Sequence, residues 1–128
     1  MEEKKEINIS NSEWLIMEYL WDKAPLTVTQ ISKAMEEETG WAKSTTKTLI
    51  SRMENKGYLR YREGDKAREY YPVIERPEVV LAETESFLSR LFNGSLGIMV
   101  NTLVDEKNLS EKEIQELRTI LDKIEGVK

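Results

Sequence analysis

The feature that most constrains this chain is a change of period inside residues 41–73, WAKSTTKTLISRMENKGYLRYREGDKAREYYPV. From Ser44 to Lys56, the residues Thr46, Leu49, Ile50 and Met53 recur at helical spacing. Gly57 follows, and glycine most readily adopts the left-handed conformation that closes a helix. Beyond it the period drops to that of a strand. Leu59 and Tyr61 alternate with Arg60 and Arg62, Glu63-Gly64-Asp65-Lys66 reads as a turn, and a second alternating run passes through Arg68, Tyr70 and Tyr71 to Pro72. A helix, a glycine and a basic hairpin in this order make the last helix and the wing of a winged helix-turn-helix.

The residues before this stretch supply the two helices such a fold needs. Ser10-x-x-Glu13 is a capping-box pattern, and it precedes a stripe of Trp14, Met17, Leu20 and Trp21 that should end near Lys23, ahead of Pro25. Thr27-x-x-Gln30 is a second box, opening a shorter helix with Val28, Ile31, Ala34 and Met35 inward and Gly40 as its stop. The fold class expected is mostly α, with three helices and a β-hairpin wing over residues 1–75 and a helical dimerisation segment over 76–128.

The second part has a different character. Val80, Phe87, Leu88, Leu91 and Phe92 form one stripe, Asn93-Gly94-Ser95 interrupts it, and LGIMVNTLV from Leu96 to Val104 is too apolar to lie exposed. A third box, Ser110-x-x-Glu113, opens a helix with Ile114, Leu117, Leu121 and Ile124 spaced as in a coiled-coil seam. Three short amphipathic helices enclose little interior, and a core of fewer than ~70 residues is marginal by itself. The economical solution is a second copy, with Leu96, Met99, Val100, Leu103, Ile114, Leu117, Leu121 and Ile124 at the homodimer interface. The same helices could instead fold back as core of a monomer.

Charge separates the parts as clearly as period does. The net charge is −5, yet residues 39–68 carry eight basic and three acidic side chains, while the acidic excess lies in the flanks. A ligand feels the local cluster, because salt screens charges beyond ~8 Å. On the third helix, with the apolar positions inward, the opposite side presents Ser44, Thr48, Ser51 and Asn55, flanked by Lys47 and Arg52. Small hydroxyls allow close approach to base edges in a major groove, and the long cations reach guanine or phosphate. Lys43 and Thr45 stand at the helix start, where backbone N–H groups and a hydroxyl hold phosphate. Arg60, Arg62, Lys66 and Arg68 on the wing would reach backbone or minor groove. The alternative is a protein-interaction winged helix whose basic patch meets an acidic protein partner.

Composition excludes much else. There is no cysteine and no histidine, so thiolate sites, disulfides and the commonest general base and zinc ligand are all missing, and no cofactor or metal is expected. Ser44-Thr45-Thr46-Lys47 matches the S-x-x-K nucleophile motif of penicillin-binding enzymes, but no S-D-N or K-T-G element accompanies it, so no catalytic residue is assigned. No apolar run approaches the ~20 residues that cross a bilayer, and the opening residues lack a long apolar stretch. A cytoplasmic protein without membrane insertion is the expectation.

The run from Trp14 to Trp21, TTKTLISRMENKGYL from Thr45 to Leu59, REYYP in the wing, and FLSRLFNGSLGIMVNTLVDEKNLSEKEIQELRTIL from Phe87 to Leu121 together resemble the penicillinase-repressor (BlaI/MecI) family of bacterial transcription repressors. That resemblance implies a homodimer on palindromic double-stranded operator DNA, with antibiotic-resistance or cell-wall stress genes as targets. It also implies relief of repression by a membrane sensor protease that cuts an Asn-Phe bond. The matching bond here is Asn101-Thr102, where the phenylalanine is absent.

Overall fold

A computed structural model describes residues 7–126; the acidic opening MEEKKE and the last two residues lie outside the described part. The elements run α1 (Asn11–Lys23), β1 (Leu26–Thr27), α2 (Val28–Thr39), α3 (Lys43–Asn55), β2 (Leu59–Glu63), β3 (Arg68–Pro72), α4 (Arg76–Phe92), α5 (Leu96–Glu106) and α6 (Glu111–Glu125). They divide into two compact units between Glu83 and Thr84.

Each predicted cap is present. The side chains of Ser10, Thr27 and Ser110 accept from the backbone N–H of Glu13, Gln30 and Glu113, whose side chains in turn accept from the cap N–H groups. These reciprocal bonds satisfy donors that the first helical turn leaves without partners. Gly40 ends α2 at φ 79°. After α3, Gly57 at φ 83° lets the chain reverse so that its own N–H donates to the Glu54 carbonyl at 3.0 Å and the Tyr58 N–H to the Met53 carbonyl at 2.9 Å. This double closure is the Schellman motif, and it aims the chain directly into β2.

The first unit has a continuous core. Ile16, Met17 and Leu20 of α1 meet Ile31 and Met35 of α2, Leu49, Ile50 and Met53 of α3, and Tyr58, Leu59 and Tyr70 of the wing. Each such side chain contributes ~1.5–3 kcal/mol by leaving water. Thr46, Leu49, Ile50 and Met53 are the buried set of α3, as their spacing predicts. On α1 the buried stripe differs from the predicted one. Ile16 joins Met17 and Leu20 at the centre, whereas Trp14 and Trp21 are half-buried at its edge, their rings edge-on at 5.4 Å. Arg76 packs against both rings, at 5.6 and 5.5 Å, and reaches Glu18, while the Trp21 indole donates to the Ile74 carbonyl. The tryptophans therefore hold the start of α4 instead of filling the interior. On α2, Ile31 and Met35 are buried and Val28 and Ala34 lie at the core margin.

Two further features were not read from the sequence. Thr27 is the cap of α2 and also, with Leu26, a short strand β1 that pairs antiparallel with β3, giving the sheet order β1-β3-β2. Glu13, the far member of the first capping box, is fully buried. Its carboxylate receives the Ser10 N–H at 2.9 Å and the Lys56 ammonium at 2.9 Å, and Lys56 also donates to the Asn8 carbonyl. Burial pushes this carboxyl up, but the Ser10 N–H and Lys56 outweigh it, so it titrates below the ordinary glutamate range.

In the first turn of α4 the buried valine is the neighbour of the predicted one. Val79 is completely buried, and Val80 is 43% exposed. Adjacent valines fit either register of an amphipathic helix, and docking of the first turn on the core selects Val79.

The second unit contains no buried residue from Thr84 to Gly126. Between α5 and α6 lies an apolar groove of about 490 Å³, lined by Leu96, Met99, Val100, Leu103, Leu109, Leu117, Ile120, Leu121 and Ile124, with Glu113 and Glu116 at its border. Ile114 is not among the lining residues and Ile120 is, so the groove does not coincide with the 114-117-121-124 seam. Ser95 caps α5 by accepting from the Ile98 N–H, which is the structural role of the Asn93-Gly94-Ser95 interruption.

Candidate nucleic-acid interface

The helix α3 presents one face to solvent without interruption. Lys43, Ser44, Thr45, Lys47, Thr48, Ser51, Arg52 and Asn55 are all exposed, while Thr46, Leu49, Ile50 and Met53 anchor the other side. Lys43, Lys47 and Arg52 make no ion pair among the described residues. The Thr45 N–H donates to the Ala42 carbonyl at 3.0 Å. A phosphate at this helix start would therefore meet the Lys43 and Ser44 N–H groups and the Thr45 hydroxyl. Ser44 and Lys47 lie on this open face with no enclosed cavity around them, which gives the S-x-x-K match no active-site setting.

The hairpin register sorts the wing cations onto two faces. Tyr61 opposes Tyr70 and Glu63 opposes Arg68 on the face that packs toward the core; Arg60 opposes Tyr71 and Arg62 opposes Glu69 on the other. Arg68 lies over the Tyr61 ring, 4.2 Å from its centre, with Glu63 at 3.8 Å. Tyr61, and after it the Tyr70 hydroxyl and the Glu63 carboxylate, raise Arg68 above the ordinary arginine value. It shares an open groove of about 310 Å³ with Lys43 and Lys47 of α3 and with Thr27, Val28 and Thr29 at the start of α2. Lys66 is exposed in the turn and unpaired among the described residues.

Arg60 and Arg62 do not join this group. Arg62 lines a separate cleft of about 410 Å³ with Ala24, Pro25 and Tyr71, and its guanidinium Nε is 3.0 Å from Glu69 Oε1. Thr29 is a groove residue that reading by periodicity did not single out, since it follows the cap and resembles any solvated first-turn residue. Tyr61 as the support of Arg68 is readable only once the hairpin register is known, because the two are diagonal neighbours across the strands.

Asn101 and Thr102 are exposed within α5, and the Thr102 hydroxyl donates to the Ile98 carbonyl at 2.9 Å. The bond between them is thus part of a hydrogen-bonded helix. Among the described residues no helix is long and apolar enough to cross a membrane, and no cluster of three metal-ligating side chains occurs.

Three helices closed by a three-stranded sheet, with a solvent-facing third helix beside a basic hairpin, define a winged helix-turn-helix protein. The model of the penicillinase repressor family matches residues 9–123, and the chain belongs to that family. It is a family of repressors and not of enzymes. The chain is 29% identical over 121 residues to the methicillin resistance regulatory protein MecI of Staphylococcus aureus, covering 94% of this chain and 98% of that one. It is also 29% identical over 119 residues to the penicillinase repressor of Bacillus licheniformis, covering 93% of each. Among solved structures, Bacillus licheniformis BlaI in its monomeric form with the blaP half-operator superposes with a TM-score of 0.53 at 24% identity, over 59% of this chain and 93% of that one. The shared fold extends to that wing and helix arrangement.

Proposed function

We propose that this chain is a transcriptional repressor of the cytoplasm that occupies palindromic double-stranded operator DNA as a homodimer, with α3 of each copy in a major groove. The observation that carries the reading is the convergence of Lys43 and Lys47 of α3 with Arg68 of the wing along one groove, beside an exposed row of Ser44, Thr48 and Ser51. In this reading Lys43, Lys47, Lys66 and Arg68 meet phosphates and set register, and Thr48 and Ser51 meet base edges, with Arg52 within reach of either. The relatives named for penicillinase and methicillin resistance support genes of antibiotic resistance as targets.

The homodimer would be made by the second unit, whose exposed apolar groove is a surface for another copy to cover. Two-fold symmetry then asks for half-sites about one helical turn, or a multiple of it, apart. If a membrane sensor protease relieves repression at Asn101-Thr102, α5 must first unwind locally there, because a protease takes its substrate extended.

The test is binding of the intact protein to a labelled duplex across salt. Lys47→Ala should weaken binding and lower the salt slope by ~1. Isotherms that are weak, independent of salt and unchanged by Lys47→Ala would instead point to an acidic protein partner.

A further inference from the structure

The two arginine-glutamate pairs of the hairpin look equivalent in sequence, Arg62-Glu63 in β2 and Arg68-Glu69 in β3, but the structure treats them differently. Glu69 is pinned. Its side chain folds over the backbone of Gly64, where an added Cβ would come 2.7 Å from Glu69 Cδ and 2.6 Å from the Ala67 carbonyl oxygen. Only glycine leaves that space. From there the carboxylate accepts from Arg62 Nε at 3.0 Å, and its side chain is only 30% exposed. Glu63, by contrast, is 79% exposed and lies 3.8 Å from Arg68, which is supported from below by Tyr61 and faces the groove with Lys43 and Lys47.

We infer that Glu69 is a positioning residue that withholds Arg62 from nucleic acid, so that Arg62 adds nothing to the wing's phosphate contacts. This rests on the DNA-binding reading and deepens it. An exposed ion pair between two mobile side chains is weak because both must be ordered. Here the carboxylate lies against the Gly64 backbone and is only 30% exposed, so Arg62, itself 64% exposed, meets a partly buried partner directly across the strands. A guanidinium neutralised within the hairpin displaces no counterion from DNA. The wing's share of the salt dependence is then smaller than its arginine count.

The experiment measures salt slopes on a labelled random-sequence duplex with the intact protein, for wild type, Arg68→Ala, Arg62→Ala, Glu69→Gln and the Arg62→Ala/Glu69→Gln double variant, each checked for an unchanged melting curve. Arg68→Ala should lower the slope, and Arg62→Ala should leave it at the wild-type value. Glu69→Gln should steepen it by ~0.9, about threefold in relative affinity between about 50 and 200 mM salt. Adding Arg62→Ala to Glu69→Gln should restore the wild-type slope. The proposal is overturned if Arg62→Ala alone lowers the slope as Arg68→Ala does, if Glu69→Gln changes nothing, or if its gain survives without Arg62, since the last result assigns the gain to the lost negative charge. Absence of salt-dependent binding in wild type, with no effect of Arg68→Ala, marks failure of the DNA reading itself and takes this inference with it.

Discussion

The two units of this chain use their apolar side chains in opposite ways. In the first, Ile16, Met17, Leu20, Ile31, Met35 and Met53 are completely withdrawn from water, and the exposed surface is polar along α3. In the second, Leu121 is 56% and Ile124 74% exposed, and nothing between Thr84 and Gly126 is buried. The first unit thus carries its own folding free energy, and the second leaves a contiguous apolar face of the kind that marks an interaction site. In the proposed function, reading falls to the first unit and pairing to the second.

The strongest way to break this comparison is to remove one leucine from each unit. Leu20→Ala should cost ~2–5 kcal/mol in a denaturant titration, whatever the protein concentration, because it opens a cavity in an already closed core. Leu121→Ala should leave that transition in place and instead shift a transition whose midpoint depends on concentration. A concentration-independent loss of the same size from Leu121→Ala would place α6 in a monomer core.

A smaller effect sharpens the account of the first unit. Glu13 titrates below its ordinary value of 4.5, so the stability it contributes is fully present above that pH and disappears as the pH falls through the lower folded value. Glu13→Gln should destabilise by ~1–3 kcal/mol at neutral pH, the usual worth of hydrogen bonds to a charged group. It should also flatten the acid limb of the pH–stability curve. An acid limb identical to wild type would remove Glu13 and Lys56 from the account of acid sensitivity.

The smallest effect has the opposite sign. The Thr46 hydroxyl is buried without a hydrogen-bond partner among the described residues. Thr46→Val, similar in shape, should be neutral or stabilising by up to ~1 kcal/mol, read as a raised melting temperature. A loss of more than that would mean the hydroxyl has a partner, such as a bound water.

What the sequence made legible follows from the range of each signal. The capping boxes at Ser10, Thr27 and Ser110, the stops at Gly40 and Gly57 and the inward set of α3 are local patterns spanning a few residues, and all are present. The strand β1 was not legible, since two residues have no period and Thr27 already had a role as a cap. The burial of Glu13 depends on Lys56, 43 residues away. The choice between Val79 and Val80 depends on a core that α4 itself does not specify. In the candidate site, the outward face of α3 could be read from the helical repeat alone. The wing could not be read so far, because alternation places Arg60 and Arg62 on one face and Arg68 on the other without saying which face lies beside α3. Only the packing of Tyr61 and Tyr70 against the core decides that.

In the proposed function the second unit is completed by another copy of the chain, which joins two reading heads. Sedimentation equilibrium of the intact protein at micromolar concentration tests it most directly. The expected mass is twice the 14.9 kDa of one chain, falling toward that value when Leu103 and Leu121 are both changed to Glu while the first unit keeps its melting transition. A single 14.9 kDa species for the unaltered protein at that concentration would contradict it.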